Sequence, residues 1–346
     1  MRRALQLARC GDGFVSPNPM VGAVIVCDGS IIGEGYHRRY GEGHAEVNAV
    51  ASVADKSLLK RSTIYVTLEP CSHYGKTPPC AKLLIDCGIP RVVIGCMDPF
   101  SKVNGRGVAM LRDAGADVTT GVLRQECMTL NKVFMVSHKL RRPYVILKWA
   151  QSADGYIDSD RQATDGKAER FSSAATSRLV HLLRSRCDAI MVGSGTALAD
   201  NPQLNVRGIS GRQPVKVLVD SKGEVAGNAR IFNGKVLCFG PQRDVAAGSE
   251  VEFIADVDTH DIEAMLHALY ERGVTSLLVE GGCRLLNCFI DSCMWDECRI
   301  EKTSRRLGES GRHPMHIPAG ILDEVKRLGD SEIITVQNPT VTDLLA

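Results

Sequence analysis

The chain has 346 residues, 44% of them hydrophobic, and a formal net charge of +2. That length accommodates two ordinary domains, each with its own core. The near-neutral charge argues against a nucleic-acid binder, which carries a basic excess or stripe, and no apolar run approaches the roughly 18–20 residues of a membrane span.

The opening segment Met1-Arg2-Arg3-Ala4-Leu5-Gln6-Leu7-Ala8 lacks the long apolar core of a signal peptide and reads as a first helix. Val21–Val26 and Ile31–Tyr36 are apolar runs joined by Cys27-Asp28-Gly29-Ser30, which predicts a hairpin. A helix is expected from His44 to Val53 and a strand from Ser62 to Leu68. Pro79 is expected at a first helical position, with Cys80–Cys87 as the helix and Gly88 as its C-cap. Arg91–Cys96 reads as a strand, and Gly105–Ala114 as a helix ended by Gly115. Such alternation argues an α/β layer sandwich whose later strands are parallel.

The pattern restarts near residue 140. Lys139-Leu140-Arg141-Arg142-Pro143 reads as a basic, proline-terminated link, so domains are expected at 1–142 and 143–346. A strand begins at Tyr144, and Ser159–Lys167 reads as a polar mobile loop. Helix Ser173–Arg184, strands Ala189–Val192, Val215–Val219 and Val236–Phe239, helix Asp261–Arg272 and strand Ser276–Val279 follow. Glu280-Gly281-Gly282 then leads into a helix from about Arg284. Thirteen cysteines, an odd number without framework spacing, point to reduced thiols in the cytoplasm. Cys283, Cys288, Cys293 and Cys298 recur every five residues, an interval that walks round a helix, and read as small buried hydrophobes.

The chemistry of the first half converges on His44-Ala45-Glu46 and on the stretch Glu69–Cys80. They offer one imidazole, from His44, and two thiolates, from Cys71 and Cys80. Three N/S donors with one position open is a catalytic zinc arrangement. Glu46, two residues from the imidazole, is placed to carry a proton between an attacking water and a leaving amine. His-x-Glu followed by Pro-Cys is the pattern of zinc-dependent base deaminases, although eight residues here separate the two cysteines. A closed structural site with His73 as fourth ligand would leave Glu46 unexplained. His37 and His138 have no partner in sequence and read as ordinary.

Ser16-Pro17-Asn18-Pro19-Met20-Val21-Gly22, His44-Ala45-Glu46, Thr67–His73 and Thr77-Pro78-Pro79-Cys80 together resemble the deaminase domain of bacterial bifunctional riboflavin biosynthesis enzymes. The eight-residue gap is a property of that family. Asp98-Pro99 with Asn104-Gly105-Arg106-Gly107 is similar to a segment that borders the family's deaminase substrate. The second half resembles its reductase domain through Lys148, Ser152, Asp154-Gly155, Leu183-Arg184, Leu198–Leu204, Asp220-Ser221 and Glu280-Gly281-Gly282. The resemblance implies a cytidine-deaminase-like three-layer α/β/α domain followed by a dihydrofolate-reductase-like α/β domain. It also implies Zn2+ and NADPH as cofactors. Ala150, Arg170, Thr196, Asp200, Ser221 and Gly282, within a turn running to Cys288, would border NADPH, and Arg184, Leu204, Arg207 and Glu280 would hold the substrate. Two arginines suit a sugar phosphate, since a guanidinium binds phosphate oxygens bidentately. Lys148 and Asp200 are candidate proton donors.

One segment departs from the family. Arg170-Phe171-Ser172-Ser173 stands where the family has Trp-Ile-Thr, after a longer loop. The expectation is a bifunctional enzyme acting on a pyrimidine ribosyl phosphate, with no nucleic-acid or membrane partner, and a homodimer by the family's tendency and its apolar C-terminal strands. The alternatives are a nucleoside or nucleic-acid deaminase with a C-terminal binding module, or a zinc protein without catalysis.

Overall fold

The computed structural model describes residues 1–72, 78–99, 105–161 and 168–345. The chain divides into two compact units, Met1–Arg141 and Arg142–Leu344. Among the described residues no helix is long and apolar enough to cross a membrane.

The first unit opens with α1 (Arg2–Ala8), then the hairpin β1 (Gly22–Cys27) and β2 (Ser30–Tyr36). Asp28 and Gly29 both take positive φ, at 49° and 78°, as a two-residue hairpin turn requires. Next come α2 (Ala45–Ser52), β3 (Thr63–Leu68), α3 (Cys80–Asp86), β4 (Arg91–Cys96), α4 (Arg106–Asp113) and β5 (Asp117–Thr119). The unit closes with α5 (Arg124–Leu130) and α6 (Lys132–Leu140). The sheet order is β2-β1-β3-β4-β5. β2 and β3 are antiparallel to β1, and β3, β4 and β5 are parallel.

Layering follows from which side chains are apolar. Ala23, Ile25, Ile64, Val66, Val92 and Ile94 of the strands bury against Ala45, Ala49 and Val50 of α2, Leu84 of α3 and Leu111 of α4. On the other face α1 and α5 pack, and Gly95 leaves room for the Cys127 sulfur, which a Cβ there would meet at 2.3 Å. This is a three-layer α/β/α sandwich.

The second unit begins with β6 (Tyr144–Gln151) and β7 (Tyr156–Ser159), then α7 (Ala174–Arg186), β8 (Ala189–Gly193), α8 (Ser194–Asp200), β9 (Val215–Val219), β10 (Lys235–Phe239) and β11 (Glu250–Ile254). It continues with α9 (Ile262–Glu271), β12 (Ser276–Val279), α10 (Cys283–Asp291), β13 (Glu297–Thr303), β14 (Gly311–Pro314), β15 (Ile321–Leu328), β16 (Ser331–Gln337) and α11 (Pro339–Leu345). Nine strands form one sheet in the order β11-β10-β9-β8-β12-β6-β13-β16-β15. From β11 to β13 all neighbours are parallel, and β16 and β15 extend the sheet antiparallel. The inner strands β8, β10 and β12 are largely apolar runs because they are buried on both faces. Ligands of such sheets bind beyond the carboxyl ends of the strands.

Several expectations need correction. Pro79 is not the first residue of α3 but its N-cap, with ψ 145°. The N–H of Cys80 donates to the Cys71 sulfur at 3.3 Å, which fixes where the helix starts. Lys139 and Leu140 are not linker but the last turn of α6, whose Met135 and Val136 are buried. Arg142 is anchored by Asp296 through two hydrogen bonds of 2.6 and 2.8 Å. Ser159 is a buried end of β7 rather than loop, and residues 162–167 of the expected loop lie outside the described residues. All thirteen cysteines are free. Cys298 is buried on β13, but Cys293 is exposed beyond the end of α10, and Cys288 is exposed because α10 turns Leu286 and Phe289 to the core instead.

Candidate functional site

The first candidate site is assembled from two helix starts and one strand exit. His44 is the N-cap of α2, with Ala45 and Glu46 in its first turn. Cys71 follows β3 by three residues, and Cys80 opens α3. These elements bring the His44, Cys71 and Cys80 ligand atoms within 4.8 Å of one another. The His44 Nδ1 lies 3.6 Å from the Cys71 Sγ and 3.4 Å from the Cys80 Sγ.

Their electrostatics favour a cation. The neighbouring Cys80 thiol, and then His44, hold the Cys71 thiol down to about 4, against the opposing effect of burial. The same contact with Cys71, with burial, pushes Cys80 well up. The Cys71 sulfur likewise raises His44. Protons therefore crowd among three donors that a metal ion would bind in their place. The donor set and its spacing suit zinc, which takes Cys and His in tetrahedral sites.

Glu46 is 3% exposed. Burial, and then the negative Cys71 sulfur, pushes its carboxyl up to about 7. A carboxyl that titrates near neutrality is matched to both taking and giving a proton. His73, the candidate fourth ligand, lies outside the described residues, as do Lys76 and Thr77.

Two residues around this site were given no role by sequence reasoning. His37, read as ordinary, is buried, and its ring packs edge-on against His44 with centroids 5.4 Å apart. Its ring nitrogens meet Asn18 Nδ2 and the Gly43 carbonyl, each at 3.2 Å. Asn18 belongs to the Ser-Pro-Asn-Pro motif, so that motif reaches His44 through His37. Glu69 is the second. Its carboxylate accepts from the N–H groups of Gly105, Gly107 and Val108 at 3.0, 3.0 and 3.2 Å, and from Asp98 at 3.4 Å. It thereby caps α4 and ties the Cys71 exit to the Asp98 segment. A buried acid between apolar strand and ligand was the available signal. Asn104, expected to border substrate, lies outside the described residues.

The second candidate site is a cavity of about 1150 Å³ over the carboxyl ends of β6, β8, β9 and β12. Lys148, Ala150, Arg170, Thr196, Asp200, Arg207, Ser221, Glu280 and Gly282 all line it. Arg184 and Leu204 do not line it among the described residues. Instead Arg184, on α7, grips Glu280 with bonds of 3.0 and 2.5 Å and donates to the Asn205 carbonyl at 3.2 Å. Burial pushes the Glu280 carboxyl up, but Arg184, helped by Lys148 and His181, brings it net below its ordinary value. Leu204 is buried with φ 51°.

The walls are tied together locally. The Gly282 N–H donates to the Thr196 Oγ1 at 2.9 Å, joining the starts of α8 and α10. A Cβ on Gly282 would stand 3.2 Å from that oxygen, so backbone is bare there. A strand, two glycines and a helix start let backbone N–H groups approach a cofactor phosphate. Asp200, expected beside the cofactor, pairs with Arg161 at 2.8 Å. In the departing segment, Arg170 and Phe171 both line the cavity, and the Ser172 hydroxyl donates to Glu301 at 2.5 Å.

Comparison with known proteins covers both halves. Residues 1–96 match the family profile of the cytidine and deoxycytidylate deaminase zinc-binding region, and residues 143–341 match the RibD C-terminal domain. The riboflavin biosynthesis protein RibD of Escherichia coli K12 is 37% identical, covering 92% of this chain and 90% of that one. That of Aquifex aeolicus is 36% identical over 89% of this chain and 87% of the relative. Among solved structures, the diaminohydroxyphosphoribosylaminopyrimidine deaminase/5-amino-6-(5-phosphoribosylamino)uracil reductase of Thermotoga maritima superposes with a TM-score of 0.87 at 37% identity. It covers 98% of this chain and 97% of its own. Acinetobacter baumannii RibD gives 0.89 at 32% identity, with 97% of each chain covered.

Proposed function

The chain belongs to the RibD family of bifunctional riboflavin biosynthesis enzymes, and from that premise we propose which residues perform its two reactions and with which cofactors. The deaminase is assigned to 1–142 and the reductase to 143–346. The first substrate is 2,5-diamino-6-(5-phosphoribosylamino)pyrimidin-4(3H)-one, which loses an amine by hydrolysis. The ribosyl group of the product is then reduced to a ribityl chain with NADPH.

In the first step His44, Cys71 and Cys80 would hold Zn2+, which when bound would supply Lewis acidity that makes water a nucleophile near neutral pH. Glu46 takes the water's proton and returns it to the ring nitrogen and the leaving amine. Burial raises its carboxyl, which suits one group to both tasks. The observation that carries this reading is the approach of three donors within 4.8 Å beside a buried carboxyl. The zinc-only alternative gives Glu46 no task. The nucleic-acid alternative meets a net charge of +2.

In the second step NADPH supplies the hydride, and the protein supplies orientation. Ala150, Arg170, Thr196, Asp200, Ser221 and Gly282 border the cofactor. Arg207 meets the sugar phosphate, and Glu280, fixed by Arg184, receives substrate donors. Lys148, a cavity-lining cation beside Glu280, is the better candidate proton donor, since Asp200 is held by Arg161. We also infer that the enzyme is cytoplasmic and acts as a homodimer.

A mass-resolved time course tests the assignment. Zinc-loaded protein with the diaminopyrimidine should exchange an amine for oxygen without NADPH, and gain two hydrogens once NADPH is added. Chelation of the metal should abolish the first change and leave the second intact on supplied deaminated substrate. A chelated protein that still deaminates would sink the zinc assignment.

A further inference from the structure

The cavity of the second unit takes two of its lining residues, Ser221 and Glu224, from the turn that follows β9. Ser221, Lys222 and Glu224 are all exposed, so the turn has little packing of its own to hold it. What holds it is Asp220, whose side chain is 0% exposed. The Asp220 carbonyl accepts from the Gly223 N–H at 3.0 Å and closes the turn. Its carboxylate accepts from the Glu224 and Val225 N–H groups at 3.1 and 3.0 Å. One carboxylate thus sets the path of the backbone from Asp220 to Val225.

Among the described residues that carboxylate has one cationic partner. Arg243, in the loop between β10 and β11, donates to it from Nη2 at 2.6 Å. The guanidinium is 15% exposed and lies 5.6 Å from the ring centroids of both Phe232 and Phe253. Its Nε is buried without a hydrogen-bond partner. Burying a charge is costly unless it is paired, and Asp220 is the group that compensates this one. The two loops also meet closely through their backbones. A Cβ on Gly240 would stand 2.1 Å from the Asp220 carbonyl oxygen, and one on Gly223 would stand 3.0 Å from the Arg243 Nη1. The Ala246 N–H donates to the Gly227 carbonyl at 3.0 Å.

We infer that Arg243 is a positioning residue for the cofactor: through Asp220 it holds the turn that presents Ser221 to NADPH. This rests on the reading above that Ser221 borders NADPH. Arg243 is not itself among the residues that line the cavity, so it acts only through the turn. Removing the guanidinium has two consequences. Asp220 becomes a bare buried anion one residue from Ser221, on a wall that receives an anionic cofactor. An unpaired carboxylate is also stabilised by turning to water, and the Glu224 and Val225 N–H groups then lose their acceptor. A lysine would keep the charge, but it has neither the planar fork nor the flat face that lies on the two rings.

Equilibrium NADPH binding to the full zinc-loaded chain tests the inference, alongside reductase kinetics on supplied deaminated substrate. Arg243→Met should raise the NADPH dissociation constant about tenfold or more, the worth of a hydrogen bond to a charged group. At saturating NADPH, kcat and the KM for the pyrimidine should stay within about twofold of wild type, a split that general loosening of the unit would not give. Arg243→Lys should lose about threefold, since it restores charge without the fork. Asp220→Asn added to Arg243→Met should recover part of the affinity, because the bare anion is gone. Wild-type NADPH affinity in either Arg243 variant would overturn the inference, whatever the melting temperature does. No recovery in the double variant would overturn the route through Asp220. Ser221→Ala separates this inference from the reading beneath it. If it binds NADPH as wild type does, the cofactor reading of the turn falls and the inference with it. If it binds more weakly while the Arg243 variants do not, only the role of Arg243 falls.

Discussion

The two candidate sites are built on opposite plans. In the first unit, one imidazole and two sulfurs meet within 4.8 Å, next to a carboxyl that is 3% exposed. In the second, a cavity of about 1150 Å³ draws its walls from four strand ends, two helix starts and the segment around Arg170. The difference teaches where function is concentrated. A compact site assigns one indispensable task to each side chain, because desolvation amplifies every charge in it. A broad, partly solvated site spreads binding over many groups, so single losses there should be graded.

The sharpest way to break that contrast is Glu46→Gln. The variant keeps the three proposed metal donors and loses the proposed proton carrier. Deamination should fall about 10²- to 10⁴-fold with zinc content unchanged. Metal analysis and separate assays of the two steps would check it. Reduction of supplied deaminated substrate should be untouched. Normal deamination would remove Glu46 from its role and the compact plan with it.

The second unit does contain one place that resembles the compact plan, the buried pair of Arg184 and Glu280. Their side chains are only 13% and 12% exposed. Arg184→Ala would leave Glu280 buried without its partner, which costs roughly 3–5 kcal/mol for such pairs. The pH dependence gives the sign. In wild type the Glu280 carboxyl lies below its ordinary 4.5, so its stabilising contribution is present above that value and fades as pH falls through the folded one. In the variant burial acts unopposed by Arg184 and raises the carboxyl, so stability is lost as pH rises. Urea midpoints should therefore diverge as pH rises from 4 to 7. Parallel curves would mean that Arg184 does not neutralise Glu280.

Arg207→Ala is the graded case. It should raise the reductase KM about 10- to 100-fold, the worth of a hydrogen bond to a charged group, while kcat changes little. Deamination should not move. Equal loss of both activities would indicate misfolding rather than a lost phosphate contact.

How far the sequence disclosed these sites follows from the same contrast. His44, Cys71 and Cys80 lie at helix starts or just past a strand, where proline and small residues mark the chain, and their chemistry is legible from spacing. The hairpin turn at Asp28-Gly29 and the N-caps Ser173 and Asp261 are equally local signals. Glu69 and His37 escaped because their partners are remote: Gly105 is 36 residues from Glu69. α5 and α6 escaped for want of boundary signals, since Leu123 takes a left-handed φ of 55° and Asn131 divides two short helices. In the second unit Arg184 was read as a ligand of substrate, yet a partner 96 residues away occupies it. No local pattern encodes that pairing.

The smallest expected effect tests the Arg170 wall, which the sequence reading marks as a departure from the riboflavin enzymes' pattern. Ser173 caps α7, its Oγ accepting from the Thr176 N–H at 3.2 Å. The cap directly follows Arg170-Phe171-Ser172, and the same helix carries Arg184 at its far end. Ser173→Ala should cost about 1 kcal/mol. That corresponds to a fall of about 2–4 °C in the melting temperature of a domain of this size. If the cap serves only the helix, cofactor affinity should stay as in wild type. A rise in the NADPH dissociation constant beyond threefold or so, with the melting temperature barely changed, would show that the helix start sets the Arg170 wall. The broad site would then share the compact site's dependence on a single, locally encoded helix terminus.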